Sequence, residues 1–185
     1  MVVNVAREMT ESNLHSAFAG ESQAHMRYLI FAERAEKAGF PNVARLFTAI
    51  AFAEKVHASN HYSVTSSKGD FLTVSAAGFG SKKVSEDLEI AIKGETFEVN
   101  EMYPAYLAVA KLQDHKDAVR SFTWALEAEK THAEFFKKAK QAVDKGSDVT
   151  LRTMQVCSVC GYTVEGDAPD KCPMCGAPKN AFKSF

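Results

Sequence analysis

Two short motifs carry the first chemical signal: Glu54-x-x-His57 in "AEKVH" and Glu129-x-x-His132 in "AEKTH". A carboxylate and an imidazole three residues apart share one face of a helix. There both can point at a single metal ion. The motifs repeat at one fixed interval: the step from Glu54 to Glu129 equals the step from His57 to His132, and that from Glu21 to Glu95 is shorter by one. Glu21 and Glu95 share a setting: Gly20 and Gly94 before them, Ser22 and Thr96 after them, Tyr28 and Tyr103 two turns on. Such self-similarity reads as two related helical hairpins. A second signal lies in the tail, where Cys157/Cys160 and Cys172/Cys175 form two C-x-x-C pairs separated only by the stretch from Gly161 to Lys171. In a chain read as cytosolic, this is a tetrahedral four-thiolate metal site rather than a pair of disulfides. Zinc and iron both suit four sulfurs. Iron would make the tail a one-electron carrier, and zinc would make it a fold staple.

The acidic and imidazole groups need a scaffold that brings them to one level. Four helical patterns provide it, from about Thr10 to Lys37, Asn42 to Ser66, Ser85 to Leu112 and Lys116 to Lys145. Counted from the Gly39 turn, Glu21 lies as far before it as His57 lies after it, with Glu54 one helical turn nearer. Counted from Asp114, Glu95 and Glu98 precede the turn by nearly the same steps as His132 and Glu129 follow it. In antiparallel hairpins these side chains fall near mid-bundle. Between the second and third helices, "GDFLTVSAAGFGSKK", Gly69 to Lys83, has no helical period and is long enough to cross a bundle end to end. The expected fold is mainly α, a ferritin-like four-helix bundle with a long crossover between helices two and three. One Glu from each of two helices with a Glu-x-x-His from each of the other two is the donor set of a dimetal carboxylate site. After Gly146 the text changes to short apolar runs, glycines, prolines and the four cysteines. The expected division is a bundle over 1–146 and a small β-rich metal-binding domain over 147–185.

"KGETFEVNEMYP", Lys93 to Pro104, is costly as helix. Glu95 and Glu98 repel one turn apart, Gly94 costs about 1 kcal/mol, and an interior Pro104 about 3. A bound metal's charge would offset the repulsion. Glu98 has Ala24 as its counterpart in the first hairpin, so it breaks the two-fold plan and makes the two metal positions unequal. Gly20 and Gly94 leave room for a small oxidant or permit close helix approach. Pro104 should kink the helix beyond the ligands.

Composition excludes other classes. The 185 residues are 46% hydrophobic, with 22 Lys+Arg against 23 Asp+Glu and a formal net charge of −1. No basic block points to nucleic acid or an anionic membrane. The longest apolar runs fall far short of the ~20 residues of a membrane span, and "MVVNVAREMTES" lacks the layout of a signal peptide. The reading is a cytoplasmic protein.

The motifs "FAGESQAHMRY", "AEKVH", "GETFEVNEMYP", "AEKTH" and "CSVCGY…CPMCG", in that order along essentially the whole chain, resemble the rubrerythrin family. The resemblance implies a non-haem diiron peroxidase with a rubredoxin-like domain that holds one iron on Cys157, Cys160, Cys172 and Cys175. It implies that Glu54 and Glu129 bridge the irons, that Glu21 and Glu95 are terminal, and that His132 binds the second iron. Glu98 and His57 would alternate on the first iron with redox state, and Tyr28 and Tyr103 would donate hydrogen bonds to the ligands. The substrate would be hydrogen peroxide, with electrons from a reductase or small carrier linked to NAD(P)H. The helix from Glu129 to Gly146 is ~26 Å long at the usual rise, so a tail tethered there would sit far from its own site. The expectation is therefore a homodimer or larger, and the resemblance implies a head-to-tail arrangement. Two other readings remain at this stage: a ferroxidase or iron-handling ferritin-like protein, and a zinc-stapled bundle without turnover.

Overall fold

The structure, a computed structural model, describes residues 6–79 and 82–185. Four helical rods make the bundle. The first two are α1 (Glu8–Lys37) and α2 (Pro41–Val64). They are joined by a tight turn in which Gly39 takes a φ of 84° and Phe40 N–H reaches back to Ala35 O at 2.9 Å. Pro41 opens α2, where a missing N–H costs nothing. The fourth rod is α5 (Lys116–Val143), whose first turn is capped by His115 Nδ1 accepting from Ala118 N–H at 3.2 Å.

The third rod is three pieces rather than the single helix expected from Ser85 to Leu112. It comprises α3 (Val84–Phe97), a π-helical turn (Glu98–Met102) and α4 (Tyr103–Leu112). Tyr103 N–H bonds to Glu98 O, an i to i+5 step that inserts one residue into the helix. That residue explains the slip in the repeat: Glu95 follows Glu21 by one step fewer than Tyr103 follows Tyr28. Pro104 falls in the first turn of α4, directly after the π-turn. The irregularity expected at Pro104 lies instead in the π-turn before it.

The crossover runs outside the bundle from Thr65 to Lys83, and its Gly80 and Ser81 lie outside the described residues. Glu11 on α1 pins its start. The carboxylate accepts from Ser66 N–H (3.1 Å), Ser67 N–H (3.2 Å) and both serine hydroxyls (2.8 Å each). Burial alone would raise the pKa of Glu11, but these donors and Thr65 outweigh it and hold the group at about 2. Farther along, Gln23 Nε2 donates to Ala76 O at 2.7 Å.

The tail does not hang from the end of α5. It turns back along α2. Asp148 accepts from Asn42 N–H (2.8 Å) and Val43 N–H (3.2 Å), capping α2 from outside. Arg45 donates to Leu151 O (2.8 Å) and Arg152 O (3.0 Å). The chain then forms a three-stranded antiparallel sheet with β1 (Met154–Cys157) between β2 (Thr163–Glu165) and β3 (Phe182–Ser184). Val156 pairs with Thr163, and Cys157 with Phe182.

Aromatic and alanine side chains fill the bundle on both sides of its middle. One cluster centres on Tyr28, Phe31, Phe47 and Phe136, the other on Tyr103 and Phe122. Phe47, Phe122 and Phe136 are fully buried, and truncating such a ring to Ala costs roughly 3–5 kcal/mol. The first cluster continues through Val149, Leu151, Met154 and Val156, so apolar packing does not divide at residue 146. Among the described residues no helix is long and apolar enough to cross a membrane.

Candidate metal centres

Between the two aromatic clusters the core turns acidic. Glu21 on α1, Glu54 and His57 on α2, Glu95 on α3, and Glu129 and His132 on α5 are all buried. They form two donor groups. Glu21, Glu54, His57 and Glu129 make one, and Glu54, Glu95, Glu129 and His132 make the other; within each group the donor atoms lie within 4.8 Å of one another. Glu54 and Glu129 belong to both. His57 Nδ1 lies 2.8 Å from Glu129 Oε1 and 3.0 Å from Glu54 Oε2. His132 Nδ1 lies 2.6 Å from Glu129 Oε2 and 3.4 Å from Glu54 Oε1. The heights matched from the two hairpin turns therefore converge on one level.

Electrostatics show what the cluster needs. Burial, then the charges of Glu98 and Glu54, push the Glu21 carboxyl well up, and burial with Glu54 and Glu95 does the same to Glu129. Burial also acts to raise Glu54, but hydrogen bonds from His132 and His57 prevail and hold it low. Glu21 Oε2, Glu54 Oε1, Glu95 Oε2 and Glu129 Oε1 are buried and make no well-oriented hydrogen bond, although His57 Nδ1 stands beside Glu129 Oε1 and His132 Nδ1 beside Glu54 Oε1. A protein would not keep four such oxygens facing one another unless cations compensated them. Two divalent ions sharing Glu54 and Glu129 fit this donor set.

The outer oxygens are held by tyrosines. Tyr28 O–H donates to Glu95 Oε1 at 2.5 Å, and Tyr103 O–H donates to Glu21 Oε1. Each leaves the other oxygen of its carboxylate buried without a hydrogen bond. Glu98, the first residue of the π-turn, is half-buried and stands outside both donor groups. Gly94 lies beside the Tyr28 hydroxyl and Arg27, each 3.9 Å from where a Cβ would be, and Gly20 lies against Ser75 of the crossover. Neither glycine serves a close approach of two helix backbones.

The second centre lies in the tail. Cys157 and Cys175 sulfurs are 3.7 Å apart, and Cys160 and Cys172 sulfurs 3.6 Å. All four lie within 4.8 Å of one another, and none is in a disulfide. A disulfide needs ~2.05 Å, whereas the edge of a tetrahedron with metal–sulfur bonds of ~2.3 Å is about 3.8 Å. The geometry suits one tetrahedral metal. Each knuckle closes the same way: Gly161 N–H bonds to Cys157 O and Gly176 N–H to Cys172 O, both at 2.9 Å, with φ of 81° and 77°.

The two centres touch. His132 Nε2 is 2.9 Å from Thr163 Oγ1, and Asn60 Nδ2 donates to Val159 O at 2.9 Å. Gly161 abuts His57 so closely that a Cβ there would lie 2.1 Å from His57 Nε2. This overturns the premise that the tail sits far from its own bundle's site: the chain returns along α2 and seats its first knuckle on the metal-facing histidines.

Sequence reasoning missed Gly161, Thr163, Asn60, His61 and Ser121. His61 Nε2 is 2.9 Å from the Tyr103 hydroxyl, and its Nδ1 is 2.8 Å from Ser121 Oγ. Burial and the neighbouring His57 lower its pKa to about 3. Its position one turn beyond His57 was the available signal. Thr163 and Asn60 had none.

Comparison with known proteins agrees with these centres. The family model for rubrerythrin matches residues 12–140, and that for the rubrerythrin rubredoxin-like domain matches residues 155–183. The chain is 43% identical to rubrerythrin-2 of Clostridium acetobutylicum over 184 residues, covering 99% of this chain and 100% of that protein. It is 34% identical to nigerythrin of Nitratidesulfovibrio vulgaris over 177 residues, covering 95% of this chain and 86% of that protein. A solved structure of nigerythrin in its fully reduced, all-ferrous state superposes with a TM-score of 0.82 at 33% identity, over 95% of this chain and 86% of that one.

Proposed function

The chain belongs to the rubrerythrin family, and from that premise we propose that it reduces hydrogen peroxide to water with electrons drawn through the four-cysteine centre. The bundle holds a diiron site on Glu and His ligands, and the tail holds a rubredoxin-like four-cysteine site, as in nigerythrin and rubrerythrin. One contact carries the reading: Gly161 of the first knuckle lies directly on His57. A store for iron has no use for an electron carrier seated on its ligands.

Bound in the bundle, two ferrous ions supply the two electrons that take hydrogen peroxide to two waters. The protein's own groups set the conditions. Glu54 and Glu129, common to both donor groups, would be shared between the two metals; Glu21 and His57 would hold the first position, and Glu95 and His132 the second. Tyr103 and Tyr28 fix the terminal carboxylates by donating to one oxygen of each. Glu98, outside both donor groups, would be available to the first position, where an anionic oxygen donor would suit a metal of higher charge better than the neutral His57 nitrogen. Aromatic walls above and below keep bulk water out.

Electrons enter from outside through the knuckles. Cys175 is the one cysteine of the four that is not buried, and it presents the centre to a reductase or small carrier linked to NAD(P)H. A homodimer is supported by exposed apolar side chains on α1 and the crossover, among them Met26, Ile30, Leu72, Val74 and Phe79. The seat of the tail on its own bundle removes the need for a partner's tail, so the head-to-tail arrangement rests on the family resemblance alone.

The test is anaerobic mixing of the fully reduced, iron-loaded protein with peroxide or with oxygen. Peroxide should oxidise the bundle irons at least tenfold faster than oxygen at equal concentration. Faster oxidation by oxygen would favour a ferroxidase.

A further inference from the structure

The repeat set by the two Glu-x-x-His motifs extends, at the same interval, through the ring layers that flank the metals. Tyr28 matches Tyr103, and Phe47 matches Phe122. The repeat holds in space: Tyr28 lies 5.7 Å from Phe47, and Tyr103 lies 5.9 Å from Phe122, centroid to centroid. Two fully buried apolar positions of one half are polar in the other. His61 stands where the other half has Phe136, and Ser121 where it has Leu46. All four are buried. Tyr28 therefore has Phe136 at its edge, 5.2 Å away, while Tyr103 has an imidazole within hydrogen-bond reach.

The direction of that bond follows from counting protons. A metal-bound carboxylate only accepts, so the single proton of the Tyr103 hydroxyl is committed to Glu21 Oε1. The Tyr103 oxygen must then accept from His61 Nε2–H. With the ring's proton on Nε2, Nδ1 is left to accept from the Ser121 hydroxyl at 2.8 Å. Ser121, His61, Tyr103 and Glu21 form one chain of hydrogen bonds, all pointing at the metal ligand.

We propose that His61 is a positioning residue which, through Tyr103, weakens Glu21 as a donor and makes the Glu21-side iron the more easily reduced of the two. Hydrogen bonds in series strengthen one another. A donor on the Tyr103 oxygen sharpens its O–H, which draws more electron density from Glu21 than Tyr28 draws from Glu95. The lower oxidation state is favoured on that side, the same side on which His57 meets the tail. The half that receives electrons is thus marked by a polar pair, and the other half by an apolar one. The inference rests on the diiron reading but needs no peroxide chemistry.

Two measurements on the full chain test it. In zinc-substituted, diamagnetic protein, the ring nitrogens of His61 should report the neutral Nε2–H tautomer by NMR; an Nδ1–H tautomer overturns the proposal. In iron-loaded protein, a redox titration followed by the mixed-valent paramagnetic signal should resolve two one-electron steps. His61→Phe, which restores the apolar wall, should lower the mixed-valent formation constant roughly threefold to tenfold; tenfold corresponds to about 59 mV. His61→Gln keeps an N–H for Tyr103 and should retain the separation. Coincident steps in the unmodified protein, or an unchanged constant in His61→Phe at full iron content, overturn it. If His61→Phe does not hold two irons, Ser121→Ala decides. Without that hydroxyl Nδ1 loses its donor and Nε2–H becomes the weaker donor to Tyr103, so the separation should narrow, and an unchanged value overturns the proposal. Peroxide turnover enters none of these readouts, so a failed peroxidase assay leaves the inference standing and a failed titration leaves the peroxidase standing.

Discussion

Gly161→Ala separates the seat of the tail from the fold of the tail. Two costs act at this position. The φ of 81° is left-handed, which costs an L-residue about 1–2 kcal/mol. The new methyl would also lie 2.1 Å from His57 Nε2 and 2.5 Å from its Cδ2. His57 cannot swing aside, because its Nδ1 is held among Glu54 and Glu129. The knuckle must therefore lift off the bundle by more than an ångström to reach ordinary contact. Gly176→Ala is the matched control: it has the same place in the other knuckle and a φ of 77°, with nothing within 4 Å of the added Cβ. Both variants carry the backbone strain and should lose roughly 2–8 °C in Tm, at 2–4 °C per kcal/mol. Only Gly161→Ala breaks the seat. The assay is stopped-flow mixing of fully reduced protein with peroxide, following the visible band of the ferric–thiolate centre. Oxidation of that centre should slow at least tenfold in Gly161→Ala, with all metals bound, and remain near the unmodified rate in Gly176→Ala. Equal rates in the two variants at full loading would refute the claim that the contact with His57 is the route of transfer.

Three further outcomes are expected. Glu98→Ala should bind two ferrous ions normally, because Glu98 lies outside both donor groups, yet lose roughly 10–100-fold in peroxide rate; iron analysis beside stopped-flow oxidation checks it. Asp148→Ala removes the acceptor for two amides at the start of α2 and should cost about 1 kcal/mol, read as a lowered Tm. Glu11 is held at about 2 against an ordinary 4.5. A lowered pKa contributes stability that is full above 4.5 and is lost as pH falls toward 2. Discounted for partial solvent screening, the contribution is about 1–2 kcal/mol. Acid unfolding of the unmodified protein should therefore steepen between pH 4.5 and 2, and Glu11→Gln should remove that component; an identical acid profile would contradict it.

The sequence reads clearly where one helix decides. Glu54 with His57 and Glu129 with His132 declare themselves by spacing within a helix, and the repeat between the hairpins sets the two pairs opposite each other. The four cysteines do the same by spacing within knuckles. Features that depend on elements far apart in the chain were out of reach. The one-step slip between Glu95 and Tyr103 is the trace of the π-turn, but a single inserted residue has no periodicity of its own. The return of the tail depends on Asp148 meeting the start of α2 and on Arg45 meeting two carbonyls about 106 residues on, and exposed charged residues give no such signal in a sequence. A helix length therefore placed the tail ~26 Å from a site that it touches. His61 and Ser121 are 60 residues apart and polar in a buried layer, where only the break in the repeat marks them.

The central claim is that peroxide is the oxidant consumed in turnover and that its electrons pass through the four-cysteine centre. Steady-state consumption of peroxide under anaerobic conditions, with electrons supplied in excess by a reduced small carrier, tests it most directly. The account predicts many turnovers, two electrons consumed per peroxide and no oxygen evolved, with turnover abolished in Cys172→Ser protein whose bundle irons remain bound. Consumption that stops after one peroxide per bundle site, or that continues unchanged in Cys172→Ser, would contradict it.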